Sequence, residues 1–126
     1  MNESLPDILL VENHPDTLKY TSKYLRRRGY EVREASGMVS ALRQYNEQPA
    51  AIVISDIGLS DGDGWELLAQ LHAQGHSPFA ISMSGFGLED REPRSLAAGF
   101  HRHLVKPFQM AELVSLLQEA PLVRKK

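Results

Sequence analysis

The sequence contains no cysteine, little net charge and no long apolar run. The absence of cysteine excludes disulfides, thiol chemistry and metal sites built on thiolates. The net charge is -2 and the pI is near 6.2, so the chain lacks the basic character by which proteins bind nucleic acid. No apolar segment approaches the roughly 18 residues of a membrane-spanning helix, and the first residues lack the basic and apolar regions of a signal peptide. We therefore expect a cytoplasmic protein that binds neither a membrane nor nucleic acid.

The chain does contain the material for one globular domain. It has 126 residues, of which 42% are hydrophobic and 24% are charged, and this is enough to bury a core. We predict a single domain over residues 1–126, with its core at about 7–120 and a tail at 121–126 in which residues 122–126 fray.

Five short apolar segments alternate with five segments of helical periodicity. The strand-like segments are residues 8–11, 30–35, 50–56, 79–83 and 101–105. Segment 50–56 is an unbroken run of apolar and small residues, which is typical of a strand buried on both faces, whereas segment 30–35 alternates as an outer strand does. The alternation, at spacings that suit right-handed βαβ crossovers, predicts a doubly wound α/β fold.

The helix limits follow from proline, glycine and hydroxyl residues. Pro15 suits the first position of the first helix, and Gly29 supplies its left-handed end. Ser36 is predicted to cap the second helix. We expect Pro93 in the first turn of the fourth helix, because an interior proline would cost about 3 kcal/mol, and we expect that helix to end at Gly99.

Polar side chains follow four of the predicted strands at the point where each strand ends. They are Glu12 with Asn13, Asp56, Ser84 and Lys106. Because the carboxyl ends of parallel strands lie at one edge of a sheet, we expect these side chains to converge. Carboxylate and amide oxygens bind Mg²⁺, a carboxylate can accept a phosphoryl group, and a lysine with a hydroxyl can hold the transferred oxygens. The set favours phosphoryl chemistry over a serine hydrolase triad, because no histidine is an obvious base for Ser84.

The sequence resembles the receiver domains of two-component response regulators, from Ile8 to about Glu119. The resemblance rests on four motifs in the family's order: Leu9-Leu10-Val11-Glu12-Asn13, segment 54–64, Ser84-Gly85 and Lys106-Pro107-Phe108. It implies a flavodoxin-like fold with a five-stranded parallel sheet of order 2-1-3-4-5 and five helices. It also implies a phosphoprotein that takes its phosphoryl group from a sensor histidine kinase or a histidine phosphotransfer protein. Such a domain is not a turnover enzyme. Because no effector domain follows Lys126 in the sequence, we expect an output partner in trans or a chain that is part of a larger sensor protein.

The resemblance implies a role for each residue at the strand ends. The implied roles are phosphoacceptor for Asp56, Mg²⁺ ligands for Glu12, Asn13, Asp56 and the backbone carbonyl of Gly58, phosphoryl-oxygen ligand and switch for Ser84, and pairing with the phosphoryl group for Lys106. A cis Lys106–Pro107 bond is also implied. His103, three residues before the lysine, stands where many receivers carry an aromatic residue that turns inward with the movement of the hydroxyl residue.

Asn13 departs from the family pattern, since most receivers carry a second acid there. An amide can ligate Mg²⁺, but loss of a charge pair at about 4 Å removes about 4 kcal/mol of attraction at an effective dielectric near 20. The alternative function is therefore a pseudo-receiver that binds a partner protein without being phosphorylated. A Mg²⁺-dependent phosphohydrolase is disfavoured, because it would need a general acid two residues after Asp56, where the sequence has Gly58.

Overall fold

The computed structural model describes residues 3–85, 91–121 and 123–124. Its centre is a parallel sheet of five strands in the order β2-β1-β3-β4-β5. The strands are β1 (Ile8–Val11), β2 (Val32–Ala35), β3 (Ile52–Asp56), β4 (Phe79–Ser84) and β5 (Arg102–Val105). This is the predicted doubly wound α/β fold with the predicted strand order.

Five helices connect and flank the strands within the described residues. They are α1 (Pro15–Arg27), α2 (Met38–Glu47), α3 (Gly64–Ala73), α4 (Arg91–Ala98) and α5 (Met110–Leu117). None of the helices within the described ranges has the length and hydropathy required to span a bilayer.

Alternation along β1 shows how the sheet is covered on both faces. Ile8 and Leu10 pack into a cluster with residues of α1 and α5, whereas Leu9 and Val11 pack into a second cluster with residues of α2 and α3. Successive side chains of a strand point to opposite faces, so a central strand must be apolar throughout. β3 is likewise buried at every position, while the edge strands β2 and β5 are only partly buried. The central position of β3 places its last residue, Asp56, in the middle of the carboxyl edge.

The predicted helix limits are mostly confirmed. Pro15 is the first residue of α1. Gly29 and Gly99 have φ of 99° and 111°, in the left-handed region that glycine enters without steric cost, and they follow the ends of α1 and α4. Pro93 lies in the first turn of α4, while the predicted residues 88–90 ahead of this helix lie outside the described part of the chain.

The prediction for the start of α2 was wrong. Its N-cap is Gly37 rather than Ser36, and glycine has no side chain that could cap the helix. Instead Asp61, from the loop after β3, accepts hydrogen bonds from the backbone amides of Met38 at 2.7 Å and Val39 at 3.0 Å. A carboxylate brought from a distant loop satisfies the amides that a local cap would otherwise serve.

The two ends of the chain also differ from prediction. Residues 123–124, which we expected to fray, pair antiparallel with residues 3–4 in a short two-stranded sheet. Backbone hydrogen bonds between the two ends hold residues 123–124 in place. The prediction missed this pairing because the local sequence of either end carries no signal for it.

Candidate functional site

The carboxyl edge of the sheet brings the predicted site residues together. Asp56 ends β3, Ser84 ends β4, Glu12 follows β1 and Lys106 follows β5. Asp56, Ser84 and Lys106 line one cavity of about 400 Å³, together with Gly58. The predicted convergence therefore holds for residues that are up to 94 positions apart in the chain.

Lys106 joins two carboxylates at the base of this cavity. Its Nζ donates to Glu12 Oε1 at 2.7 Å and lies 2.9 Å from Asp56 Oδ1 and 3.1 Å from Asp56 Oδ2. Glu12 is 1% exposed and Asp56 is 5% exposed. Two buried carboxylates with one ammonium carry an excess negative charge when both are ionised, so the group of three is built to accept a further cation or a proton.

The pKa values of the two carboxyls reflect this excess of negative charge. Burial would raise the pKa of Glu12, but hydrogen bonds with Asp56, Lys106 and His14 outweigh it and lower that pKa to about 2. Burial raises the pKa of Asp56 to about 7, and contact with Glu12 adds to the rise, despite the opposing effect of Lys106. The two groups titrate as a pair, in which Asp56 takes up a proton before Glu12 does as the pH falls. For Lys106, burial opposes the charge, but the bonds to Glu12 and Asp56 raise the pKa, so it stays protonated.

The donor set beside this pair fits a hard divalent cation. Asn13 Oδ1 is buried and receives no hydrogen bond from the described residues, so it is an acceptor that lacks a donor. Glu12 and Asp56 supply the charge, and the cavity wall at Gly58 is open, since a Cβ built there meets no atom within 4 Å. Oxygen donors of this kind suit Mg²⁺, which takes one or two carboxylates and completes its shell with water. Glu12 and Asp56 therefore suit such an ion, while the ligand roles of Asn13 and of the Gly58 carbonyl stay predictions.

His14 is a feature that the sequence analysis missed. Its Nδ1 lies 2.9 Å from Glu12 Oε2, and its backbone amide donates to the same oxygen at 3.2 Å. Ligand atoms of Glu12, His14 and Asp56 all lie within 4.8 Å of one another. The available signal was position, because His14 follows Glu12 and Asn13 at the same strand end.

The loop after β3 holds the backbone of Asp56 in place. A Cβ on Gly64 would lie 2.5 Å from the carbonyl oxygen of Asp56, so only glycine permits this approach. The Gly64 amide donates to Ile57 O at 2.9 Å, and Asp63 caps α3 by accepting from the amide of Glu66 at 2.7 Å. The loop is thereby packed against the residue that offers its carboxylate to the cavity.

Ser84 is hydrogen-bonded to His103, a histidine that the sequence analysis did not identify as a partner for Ser84, and the two belong to a series of three bonded side chains. Ser84 Oγ lies 2.8 Å from His103 Nε2, and His103 Nδ1 lies 2.6 Å from the Oγ of Ser82, which is fully buried. Burial lowers the pKa of the imidazole, against a raising effect of Glu92, so the ring is neutral near pH 7. A neutral imidazole has one N–H donor and one acceptor nitrogen, so one serine donates to the ring and the other accepts from it.

One further prediction concerns the segment around Lys106, and two residues were not predicted. The Lys106–Pro107 peptide bond is cis, as predicted. Trp65 and Arg91, which the sequence analysis did not assign to the site, also line the cavity. Their place depends on how α3 and α4 pack, for which the local sequence around each residue holds no signal.

These features define an open α/β sheet with an acidic pocket, a lysine and a hydroxyl at the carboxyl ends of its strands. The chain belongs to the response regulator receiver domain family, whose model matches residues 8–118. It is similar to the transcriptional regulatory protein PrrA of Mycobacterium leprae, with 32% identity over 112 residues, which cover 89% of this chain and 48% of that protein. It also resembles the sensor protein EvgS of Escherichia coli K12, with 33% identity over 67 residues, 53% of this chain and 6% of EvgS.

The fold is shared with solved receiver domains. A CheY-like response regulator receiver domain protein from Methanospirillum hungatei superimposes with a TM-score of 0.83 and 30% identity, over 92% of this chain and 93% of that one. The chain spans about half of PrrA and a small part of EvgS, so these relatives contain further regions that this chain does not match.

Proposed function

We propose that Asp56 accepts a phosphoryl group from a sensor histidine kinase or a histidine phosphotransfer protein. The observation that carries the proposal is the buried Asp56 carboxylate, which faces a cavity and contacts the Lys106 ammonium. In the reaction the P–N bond of the phosphohistidine breaks and an O–P bond to an Asp56 oxygen forms, while the imidazole leaves with its electron pair. Phosphoryl transfer passes through a loose transition state, so positioning and charge neutralisation supply most of the catalysis.

Lys106 and the oxygen ligands neutralise different charges during the transfer. Lys106 offsets the repulsion between the Asp56 carboxylate and the incoming phosphoryl oxygens. Glu12, Asn13, Asp56 and the carbonyl of Gly58 would hold Mg²⁺, which when bound neutralises carboxylate and phosphoryl charge. Asp56 must be ionised to act as the nucleophile, and a cation at these oxygens favours its ionised form.

The hydrogen bonds that link Ser84, His103 and Ser82 would couple phosphorylation of Asp56 to a movement of His103. An acyl phosphate adds roughly two negative charges at Asp56, and its oxygens are acceptors for the Ser84 hydroxyl. If Ser84 turns to the phosphoryl group, it gives up its bond to His103 Nε2, and the ring loses one of its two partners. His103 also lines a surface depression with Leu104 and α5, so its movement changes the face formed by β5 and α5. We propose this face as the surface that an output partner reads in the cytoplasm.

Labelling with a small phosphodonor tests the proposal. Incubation with Mg²⁺ and phosphoramidate or acetyl phosphate is expected to add the mass of one phosphoryl group, measured on the intact protein. Asp56→Asn should abolish the label, whereas Asp63→Asn, a change at another aspartate of the same cavity, should keep it. A label that persists in Asp56→Asn would contradict the assignment. We also expect no turnover of an external phosphomonoester, because the domain is proposed as a signalling module.

The second candidate is a pseudo-receiver that binds its partner without phosphorylation. The observation that favours it is Asn13, whose uncharged oxygen replaces an acidic ligand. If the wild-type chain takes up no phosphoryl group and Asn13→Asp restores labelling, weak metal binding is the cause and the pseudo-receiver function is supported. If wild type is labelled at Asp56, this candidate is rejected.

A further inference from the structure

An arginine and a tryptophan line the proposed phosphorylation cavity in addition to Lys106. They are Arg91, the first residue of α4, and Trp65, the second residue of α3, which both line the cavity with Asp56 and Ser84. The guanidinium carbon of Arg91 lies 5.3 Å from the centroid of the Trp65 ring. The cavity therefore has a positive charge on the α4 side in addition to the lysine at its base.

Trp65 is held in a fixed orientation. Its indole N–H donates to Ser95 Oγ at 2.9 Å, and Ser95 is fully buried within α4. A second arginine, Arg94, stacks on the same ring at 3.8 Å, but it is exposed and is not among the residues that line the cavity. The two arginines thus share one aromatic platform, and only Arg91 reaches the cavity.

The Arg91 guanidinium has a buried donor with no acceptor among the described residues. Within residues 3–85, 91–121 and 123–124, its Nε has no hydrogen-bond partner and no carboxylate forms an ion pair with it. A guanidinium offers five N–H donors in a planar fork that matches phosphate oxygens, and leaving such donors buried and unpaired is costly. A cation in this condition beside a nucleophilic carboxylate is suited to an anionic ligand.

We propose that Arg91 binds the oxygens of the phosphoryl group that Asp56 receives, so that the group is held between Arg91 on one side and Lys106 on the other. This inference rests on the proposed function and adds a residue that positions the donor. Arg91 forms and breaks no covalent bond. It raises the rate because its charge and donors are already oriented by the stacking on Trp65.

Paired substitutions on the shared ring test the proposal. With phosphoramidate and saturating Mg²⁺, Arg91→Gln is expected to lower the second-order labelling rate about tenfold, the effect of one hydrogen bond to a charged group. Arg94→Gln removes the other stacked guanidinium and is expected to change the rate less than about threefold. Arg91→Lys keeps the charge but loses the planar fork and its stacking on Trp65, so we expect a rate between those of wild type and Arg91→Gln. Equal rates for Arg91→Gln and wild type would overturn the proposal, and so would an Arg94→Gln variant as slow as Arg91→Gln.

A binding measurement separates this inference from the proposed function. Inorganic phosphate is titrated into the Mg²⁺-containing protein, and Trp65, the only tryptophan in the sequence, reports occupancy by fluorescence. The Kd for phosphate is expected to rise about tenfold in Arg91→Gln and to stay near the wild-type value in Arg94→Gln. If wild type takes up no phosphoryl group, the proposed function fails, yet this titration still decides whether Arg91 binds phosphate oxygens. An unchanged Kd in Arg91→Gln rejects the inference.

Discussion

Replacing Asp56 with asparagine should stabilise the protein, and the gain should depend on pH. Burial and the neighbouring Glu12 raise the pKa of Asp56 from 3.8 to about 7, so the folded state binds this proton more tightly than the unfolded chain does. Below the unfolded pKa, Asp56 is protonated in both states and costs no stability. As the pH rises from 3.8 to about 7, the cost of keeping Asp56 buried grows and the free energy of unfolding falls. Asp56→Asn removes the ionising group and with it this penalty, while the bond between Glu12 and Lys106 remains.

The magnitude follows from the shift. At about 1.36 kcal/mol per pKa unit, the full shift corresponds to about 4 kcal/mol, of which about 2 to 3 kcal/mol develops between about pH 5 and about pH 8. The pKa of Glu12 moves in the opposite direction, to about 2, so the net penalty of the coupled pair is smaller than the shift of Asp56 alone indicates. We therefore expect the lower value: the stability gain of Asp56→Asn over wild type should be about 2 kcal/mol larger at pH 8 than at pH 5.

Urea denaturation without divalent ions measures this effect. The free energy of unfolding of Asp56→Asn is compared with that of wild type at about pH 5 and about pH 8, so that the pH dependence of groups not coupled to Asp56 cancels. Asp16→Asn, at an exposed aspartate in the first turn of α1, is the matched control for the change of charge and should not stabilise the protein, because an acid in this turn interacts favourably with the helix dipole. An Asp56→Asn variant that is less stable than wild type at the higher pH, or equally affected at both, would refute the reasoning. Added Mg²⁺ should reduce the gain, because a bound cation relieves the same repulsion.

Two further predictions concern the same edge of the sheet. Lys106→Met leaves Glu12 and Asp56 buried without their cation. It should lower the free energy of unfolding by about 3 kcal/mol at about pH 8, and by less at about pH 5, where one carboxyl is protonated. Urea denaturation checks this, and equal losses at both pH values would contradict it. Gly64→Ala places a Cβ 2.5 Å from Asp56 O and should cost about 1 to 3 kcal/mol, whereas Gly58→Ala meets no atom within 4 Å and should cost less than about 0.5 kcal/mol. Thermal unfolding of the two alanine variants checks this, and similar midpoints would count against the close approach.

Local patterns in the chain were sufficient for the sheet and for most of its helices. The apolar run that becomes β3 is buried at every position, as an unbroken run predicts, and Gly29 ends α1 because a left-handed residue is needed there. The site followed from one geometric rule, that the carboxyl ends of parallel strands share an edge. That rule was enough to bring Asp56 and Lys106 together across 50 residues of sequence.

Other features depended on contacts between distant parts of the chain. Asp61, from the loop after β3, caps α2, and Ser36 does not, because the tertiary fold brings a better acceptor to the same amides. The bridge from Ser84 to His103 could not be predicted from either residue alone, because it depends on the register between β4 and β5.

The sequence alone determined that Glu12, Asp56, Ser84 and Lys106 reach the edge of the sheet, because each of them ends or follows a segment with the local pattern of a strand. The tertiary structure decided how those groups are charged and which residues oppose them. The pKa of Asp56 is raised because its carboxyl is buried beside that of Glu12, and the position of Arg91 depends on the packing of α4 against Trp65. Burial and distance set both effects, and neither is a property of a residue in isolation.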